Sequence, residues 1–529
     1  MGNKWSKKRA APCQQPADMM RDGALRLAAW ENLLPQNDPK RHFILTGIQE
    51  GFHIINTKEF AKPVFVNNYK SATNPEVRDL VEEQIKIELR EKRYQIIDQP
   101  ARITSALGAI PKKEKNKVRL IHDASRPSGY ALNDYARNNP FQYQSISDAV
   151  KHVTPQAYLA KIDLANAYRS VKIHPSNFDA TGIHWTFQGD NSPTYMVDTR
   201  LPFGARRSPE IFHELTQAVC RIMSSEGYTS VIAYLDDFLI IGETYSQCLV
   251  IMTRLLKLLR LLGFSINYNK VHGPAQRLTF LGITLDTNNM TLELPEDRLQ
   301  DISTSLSTVY KQTKVSKRQL MSLAGKLNWA SQVIYGGRFH LRRLLDSIQG
   351  LKMPGHRRRV TREMRKDIIW WLQFLSVFNG SQQMIDTQPT TSVCTDACNT
   401  AAGAFHQGQF IYTPWSWWPE MANLHINFKE IVALEPAVAL WAPFWSNKTV
   451  YIHCDNQTAV RIINKGSCKN VSVMDSLRRI FWWSAIYNLK IQAVYIPGAY
   501  NQIADCISRL HDFNRCKHLF GIMKSCYNI

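Results

Sequence analysis

Apolar positions along the chain change period several times, and each change predicts an element. Val231-Ile232-Ala233 and Phe238-Leu239-Ile240-Ile241 are short apolar runs on either side of Tyr234-Leu235-Asp236-Asp237. Two such runs around a tight polar pair predict a strand–turn–strand hairpin with two carboxylates at its tip. Residues 158–163 read as a strand on which Leu159 and Asp163 share a face. Ser208-Pro209 suits the first turn of a helix continued by Ile211, Phe212 and Leu215. From Leu292 to about Gly380 the period is helical, as in Leu320, Leu323, Leu327 and Ala330, then Leu341, Leu344, Leu345 and Ile348. After about residue 385 strands return. Segments 393–396, 401–405 and 409–412 predict a meander, followed by a helix through Ile431, Leu434, Val438 and Trp441. A strand at 450–454, a helix with Val460 and Ile463, a strand with Ile491, Ala493 and Tyr495, and a helix at 501–510 complete the series.

Acids fall at the ends of these elements. Adjacent carboxylates in an apolar hairpin repel each other and lose solvation. A divalent cation relieves both costs; an ordinary Asp-rich turn is the alternative. A phosphoryl-transfer site with two metals needs ligands from more than one segment. Asp163, 73 residues before Asp236, supplies one. Asp163, Asp236 and Asp237 would then bind two Mg²⁺. In the C-terminal part Asp396, Glu430, Asp455 and Asp505 each sit at a strand end or in a helix's first turns, 34, 25 and 50 residues apart.

Six blocks in order carry a resemblance: 117–123 (KVRLIHD), Lys161-Ile162-Asp163 with Tyr168, Leu201-Pro202-Phe203-Gly204 with Ser208-Pro209, Tyr234-Leu235-Asp236-Asp237, Gly263-Phe264 with Lys270, and Phe280-Leu281-Gly282-Ile283. Over roughly residues 90–510 the chain resembles a reverse transcriptase followed by a ribonuclease H. The resemblance implies a multidomain α/β and α+β fold: a right-hand polymerase of fingers, palm and thumb, a helical connection and a C-terminal ribonuclease H-like α/β domain. It implies that Asp163, Asp236 and Asp237 catalyse DNA synthesis, with Leu164 among the metal- and nucleotide-binding positions. Lys112 and Arg119 would grip the incoming triphosphate. Tyr168 would pack under the sugar and exclude a 2′-hydroxyl. Phe203 and Gly204 resemble the template–nucleotide platform, although retroviral enzymes carry Gln where Phe203 stands. Lys270 resembles a lysine that protonates departing pyrophosphate. Phe280, Leu281 and Gly282 resemble the primer grip. Asp396, Glu430, Asp455 and Asp505 resemble the ribonuclease H metal site, again with two Mg²⁺, Mn²⁺ being a possible substitute. The loop 496–501 lacks the His that many ribonucleases H carry there. Residues 119–127 and 495–509 are most similar to DIRS-type, tyrosine-recombinase retrotransposons, with gypsy-like LTR elements and plant pararetroviruses next. The implied partners are an RNA template, a DNA primer, an RNA–DNA hybrid and dNTPs, with a separate recombinase or integrase for integration.

Composition changes the picture little. The chain has 529 residues, enough for three to four domains, and 44% hydrophobic residues. The segments read as 1–65, a partly disordered N-terminal extension; 66–290, fingers and palm; 291–385, thumb and connection; 386–512, ribonuclease H; and 513–529, a tail. A net charge of +21 is the footprint of a polyanion binder. The basic stretch His356-Arg357-Arg358-Arg359 with Arg362, Arg365 and Lys366 is expected either to touch a hybrid's backbone or to be a solvated face. Ten cysteines without a regular framework read as free thiols in a reducing compartment, cytoplasm or nucleus. Cys516, His518 and Cys526 match no standard zinc spacing. Gly2 lies in a myristoylation pattern followed by Lys7-Lys8-Arg9, but the favoured reading is coincidence, so membrane attachment is not expected. His340 and Arg343 have a recombinase-like spacing inside a leucine-rich helical segment and are expected to mean nothing. A degenerate polymerase fold kept as a non-catalytic nucleic-acid scaffold is the alternative function.

Overall fold

The computed structural model describes residues 24–56, 60–111, 117–137, 139–384, 390–466, 468, 470–512, 514, 517–518 and 521. The chain divides between Leu278 and Thr279 into two compact units, with Val153–Pro155 counted in the second.

The first unit is built on a four-stranded sheet. Strand Tyr158–Asp163 lies between His272–Ala275 and Asp237–Gly242, and Val231–Tyr234 forms the edge. Leu159, Ala160, Ile162, Phe238, Leu239 and Ile240 are all buried, so the central strands are apolar on both faces. Helices Arg207–Ser225 and Tyr245–Leu262 pack on this sheet. Thr244 caps the second by accepting from the Gln247 N–H at 3.2 Å. A five-stranded sheet and the hairpin Leu107–Pro111/Val118–His122 complete the unit.

The segment expected to be a partly disordered extension is ordered where it is described. Helices Leu27–Leu33 and Arg41–Glu50 bury Trp30, Ile44 and Ile48 in the same core as Phe212 and Leu262. The Trp30 indole N–H donates to the Leu262 carbonyl at 3.1 Å. The polar, proline-containing segment between the two helices outweighed their short apolar stretches, and the partner of Trp30 lies 232 positions away. Residues 1–23, including the Gly2 pattern, lie outside the described residues.

The second unit begins with a sheet containing Ile283–Asp286, Thr291–Glu293 and Ser381–Gln383. Helices Glu296–Lys311, Lys317–Ala330, Arg342–Ile348 and Arg362–Val377 follow. The segment expected to be helical throughout also holds a two-stranded antiparallel ribbon, Lys314–Ser316 with Arg357–Arg359. Its C-terminal part is a five-stranded sheet. Gln409–Pro414, Ala401–His406 and Thr391–Ala397 run antiparallel; Thr449–Cys454 and Lys490–Tyr495 add parallel to Thr391–Ala397. The helix expected through Ile431 and Trp441 is two helices, Ile426–Val432 and Leu434–Trp441. Pro436 has no N–H to donate to Val432, so the continuous ladder is interrupted there.

His340 and Arg343 do hold structure together. The His340 ring stacks on Trp370 with centroids 3.9 Å apart. Arg343 pairs with Asp367 at 2.7 Å and with Asp475, on helix Val471–Ile486, at 3.0 Å. The described cysteines, Cys220, Cys248, Cys394, Cys398, Cys454, Cys468 and Cys506, are free thiols; Cys516 and Cys526 lie outside the described residues. No helix among the described residues is long and apolar enough to cross a membrane.

Candidate functional site

In the first unit, strand pairing gathers three carboxylates. Asp237 and Asp163 are direct cross-strand partners, and the Leu164 N–H donates to the Asp236 carbonyl at 2.9 Å. The tip is tight: Leu235 takes a left-handed φ of +51° between Tyr234 and Asp236. Asp163 is buried and accepts from Asn267 Nδ2 at 3.0 Å and from Lys270 Nζ at 3.1 Å. Burial lifts the Asp236 carboxyl, and repulsion from Asp163 adds to it, against the opposing pull of Lys270 and Arg119. Asp237 is pushed up to about 6, first by burial and then by Asp236 and Asp163. Lys270 is therefore an ion-pair partner of Asp163 as well as a candidate proton donor.

Beside the acids lies an aromatic stack. The Tyr168 and Phe203 rings are stacked with centroids 5.1 Å apart, and the Arg119 guanidinium lies 5.1 Å from the Phe203 centroid. Phe203 thus links the two residues expected to bind nucleotide by apolar and cation–π contact, where a Gln would offer polar atoms. The His122 N–H donates to the Phe203 carbonyl at 2.9 Å. Gly204 has a φ of +123°, and a Cβ there would collide with the His122 carbonyl oxygen. Lys112 lies outside the described residues.

Sequence reading missed the support of this stack. Arg169, next to Tyr168, is buried and pairs with Glu88 at 2.9 Å and Asp198 at 2.8 Å. His122 Nε2 is 3.4 Å from Asp198 and 3.4 Å from the Tyr94 hydroxyl. Burial keeps His122 below its ordinary pKa, so it stays neutral in this network. A charged residue beside an aromatic gives no period, and only the tertiary fold reveals such partners.

The primer-grip candidates belong to the second unit. Phe280 is fully buried, while Leu281 and Gly282 have φ of +50° and +81°. The Trp329 indole N–H, on helix Lys317–Ala330, holds the Leu281 carbonyl at 3.1 Å.

The second acid cluster also follows from sheet register. Thr391–Ala397 and Thr449–Cys454 are parallel and pair up to Cys394↔His453; Asp396 and Asp455 lie two residues further on. Asp396 pairs with Gly403 on its other side. A Cβ on Gly403 would strike the Ser508 backbone, so the glycine lets helix Gln502–Ser508, which carries Asp505, lie against the sheet. Glu430 comes from helix Ile426–Val432; its carboxylate, Asp455 and the Cys454 sulfur lie within 4.8 Å of one another. Ser508 Oγ donates to Asp396 Oδ2 at 2.6 Å, and Arg509 Nε to Asp505 Oδ1 at 2.8 Å. Burial, with Asp455 and Asp505 adding, pushes Asp396 up to about 7. Burial, with Asp396 and Asp455 adding, pushes Glu430 up to about 9. Asp455 is raised by burial and by Asp505. In the loop without His, Asn501 Nδ2 donates to the Thr395 carbonyl at 3.0 Å beside Asp396.

Both clusters suit divalent cations, because each gathers more mutually repelling carboxylates than its one paired cation, Lys270 or Arg509, neutralises. Their raised pKa values set a sign. Ionising these carboxyls opposes folding, so the stability they contribute is complete below about pH 4 and is lost as pH rises through about 6 for Asp237, 7 for Asp396 and 9 for Glu430. Millimolar Mg²⁺ should therefore raise the Tm by several degrees at pH 8 and by much less at pH 5, read by differential scanning fluorimetry. Equal shifts at both pH values would mean that the ions bind elsewhere.

Residues 110–285 match the family model "Reverse transcriptase (RNA-dependent DNA polymerase)" and form a domain of that type. The genome polyprotein of Petunia vein clearing virus is 19% identical over 434 residues, covering 76% of this chain and 17% of the polyprotein. The transposon Tf2-3 polyprotein of Schizosaccharomyces pombe is 21% identical over 427 residues, covering 76% of this chain and 28% of its own length. The chain thus spans less than a third of these curated relatives. Among solved structures, the foamy viral protease–reverse transcriptase in complex with dsDNA superposes with a TM-score of 0.52 at 16% identity, covering 91% of this chain and 99% of that one. The same enzyme in complex with an RNA/DNA hybrid gives 0.52 at 17% identity, covering 91% and 64%. The fold is the polymerase fold of these structures in a mixed α/β multidomain chain.

Proposed function

We propose that the chain is an RNA- and DNA-dependent DNA polymerase joined to a ribonuclease H, copying a retroelement's RNA into cDNA and degrading the RNA of the resulting hybrid. The observation that carries this reading is the gathering of seven acids into two sets, three in the first unit and four in the second. A scaffold that only binds nucleic acid has no physical reason to hold carboxylates against one another at this electrostatic cost.

At the first set Asp163, Asp236 and Asp237, with the Leu164 backbone, would hold the cations. At the second, Asp396, Glu430, Asp455 and Asp505 would do so. Two Mg²⁺ at each, or Mn²⁺ in their place, would supply charge neutralisation and Lewis acidity for phosphoryl transfer. The chain's own groups do the rest. Arg119 grips the triphosphate, and the Phe203–Gly204 turn supports the nascent pair. The primer 3′-hydroxyl gives its proton to solvent as its oxygen bonds to the α-phosphorus, the bond from that phosphorus to pyrophosphate breaks, and Lys270 delivers a proton to the leaving pyrophosphate. Tyr168, fixed by its stack on Phe203, rejects a 2′-hydroxyl. Tyr168→Ala should accordingly admit ribonucleotides, raising rNTP over dNTP use by at least tenfold in single-nucleotide extension; unchanged sugar discrimination would reduce Tyr168 to a packing role.

The similarity of segments 119–127 and 495–509 to DIRS-type elements supports such an element as the source, with integration left to a separate recombinase. The test of the whole reading is dNTP incorporation on poly(rA)·oligo(dT) with Mg²⁺. Incorporation together with RNA cleavage is expected; tight hybrid binding with neither activity would favour the scaffold.

A further inference from the structure

The ribbon formed by Lys314–Ser316 and Arg357–Arg359 sets one like-charge pair, Lys314 and Arg359, directly across its strands. Lys314 is the direct partner of Arg359, Val315 of Arg358, and Ser316 of Arg357. Val315 is fully buried, so the alternation of a strand puts Lys314, Ser316, Arg357 and Arg359 together on the opposite, outward face. Lys314, Arg357 and Arg359 are exposed. Like charges directly opposite one another destabilise an antiparallel pair. Acids on the helices before and after the ribbon strands are paired elsewhere. Asp301 pairs with Lys326, Asp346 with Arg342, Glu363 with Lys366 and Arg343, and Asp367 with Arg343. Among the described residues no carboxylate lies within ion-pair distance of Lys314, Arg357 or Arg359. The outward face is therefore a concentrated positive charge whose counter-ion comes from outside the protein.

We propose that this ribbon face is a docking surface for the phosphate backbone of a nucleic-acid duplex, independent of base sequence; the proposal rests on the polymerase–ribonuclease H reading. Arg357 and Arg359 are two residues apart on one strand, about 7 Å along it, a spacing that lets both reach neighbouring phosphates of one strand. An acidic protein partner fits less well. Its binding would need a buried apolar or aromatic anchor, and the outward face offers Ser316 and three cations. The basic stretch noted in the sequence thus splits. Arg358 donates to the Gln349 carbonyl at 2.9 Å, and Arg365 donates to the Gln312 carbonyl at 3.1 Å, so both brace the protein. Arg357 and Arg359, joined by Lys314 from the other strand, share the outward face and are left for phosphate.

The test is the salt dependence of binding. The full chain and the triple variant Lys314→Gln/Arg357→Gln/Arg359→Gln are titrated against a fluorescent RNA–DNA hybrid in EDTA, from 0.05 to 0.3 M KCl. Each lost phosphate contact lowers the slope of log K against log salt by about 0.9, so a fall of roughly two to three is expected. The Tm should be unchanged or higher, because like-charge repulsion is removed. Arg357→Lys/Arg359→Lys keeps the charge and should keep the wild-type slope. A triple variant with the wild-type slope, or a double lysine variant whose slope falls as far as the triple variant's, would overturn the ribbon's role. Equal loss of affinity for polyglutamate and for the hybrid at every salt concentration would also overturn it, since the site would then be a general polyanion patch. Failure of the wild-type chain to bind the hybrid at all is a different result and would remove the underlying functional reading.

Discussion

Asp236→Asn should lower dNTP incorporation by on the order of a thousandfold while leaving hybrid cleavage within about twofold of wild type. The substitution keeps the size of the side chain at the hairpin tip and removes one anionic ligand. The fold should not suffer. Asp236 is held against Asp163 and Asp237 by burial and strand register, and its carboxyl is raised by both burial and repulsion. Replacing it with a neutral amide relieves that repulsion, so without divalent ions the Tm at pH 8 should hold or rise. Loss of both activities in folded protein would mean that the two acid sets do not act as separate centres.

Asp455→Asn should do the reverse. RNA cleavage should fall by a similar factor, and primer extension should continue on an intact template. Asp455 lies beside Glu430 and Cys454 and contributes to the raised pKa of Asp396 and Glu430. Neutralising it should move both of those carboxyls back toward their ordinary values. The carboxyl stretch of protonated Glu430, followed by infrared difference spectroscopy, should therefore titrate at lower pH in the variant. An unshifted titration would mean that the four acids are not electrostatically coupled.

Much of this site was legible because its chemistry interrupts a period. Asp236 and Asp237 break two apolar runs, and Asp163 ends a largely apolar strand, so the register Asp163↔Asp237 completes what the pattern implies. Of the later acids, Asp396 and Asp455 lie at strand ends, Asp505 in a helix's first turn and Glu430 further along its helix, and the parallel pairing of Thr391–Ala397 with Thr449–Cys454 brings two of them level. What the sequence hid depends on distant partners. Trp30 and Ile44 lie in short apolar stretches separated by the polar, proline-containing segment 35–42, and the core they enter is built from residues far along the chain. Arg169 has no periodic signature, and its partners Glu88 and Asp198 come from separate elements. The ribbon of Arg357–Arg359 was obscured because three consecutive arginines show no alternation of hydrophobicity, although their backbone alternates. Phe203 illustrates a third case. Its departure from Gln was visible, but its contacts with Tyr168 and Arg119 were not.

The central claim is that two separate carboxylate cages each hold divalent metal. Iron-directed cleavage tests it most directly: Fe²⁺ replaces Mg²⁺, hydroxyl radicals are generated with ascorbate and peroxide, and the cut sites in the polypeptide are mapped by mass spectrometry. The account predicts two groups of cuts, one around Asp163 and Asp236–Asp237 and one around Asp396, Glu430, Asp455 and Asp505. Excess Mg²⁺ should suppress both, Asp236→Asn should weaken only the first, and Asp455→Asn only the second. Cuts confined to other parts of the chain, or one group that either variant erases entirely, would contradict it.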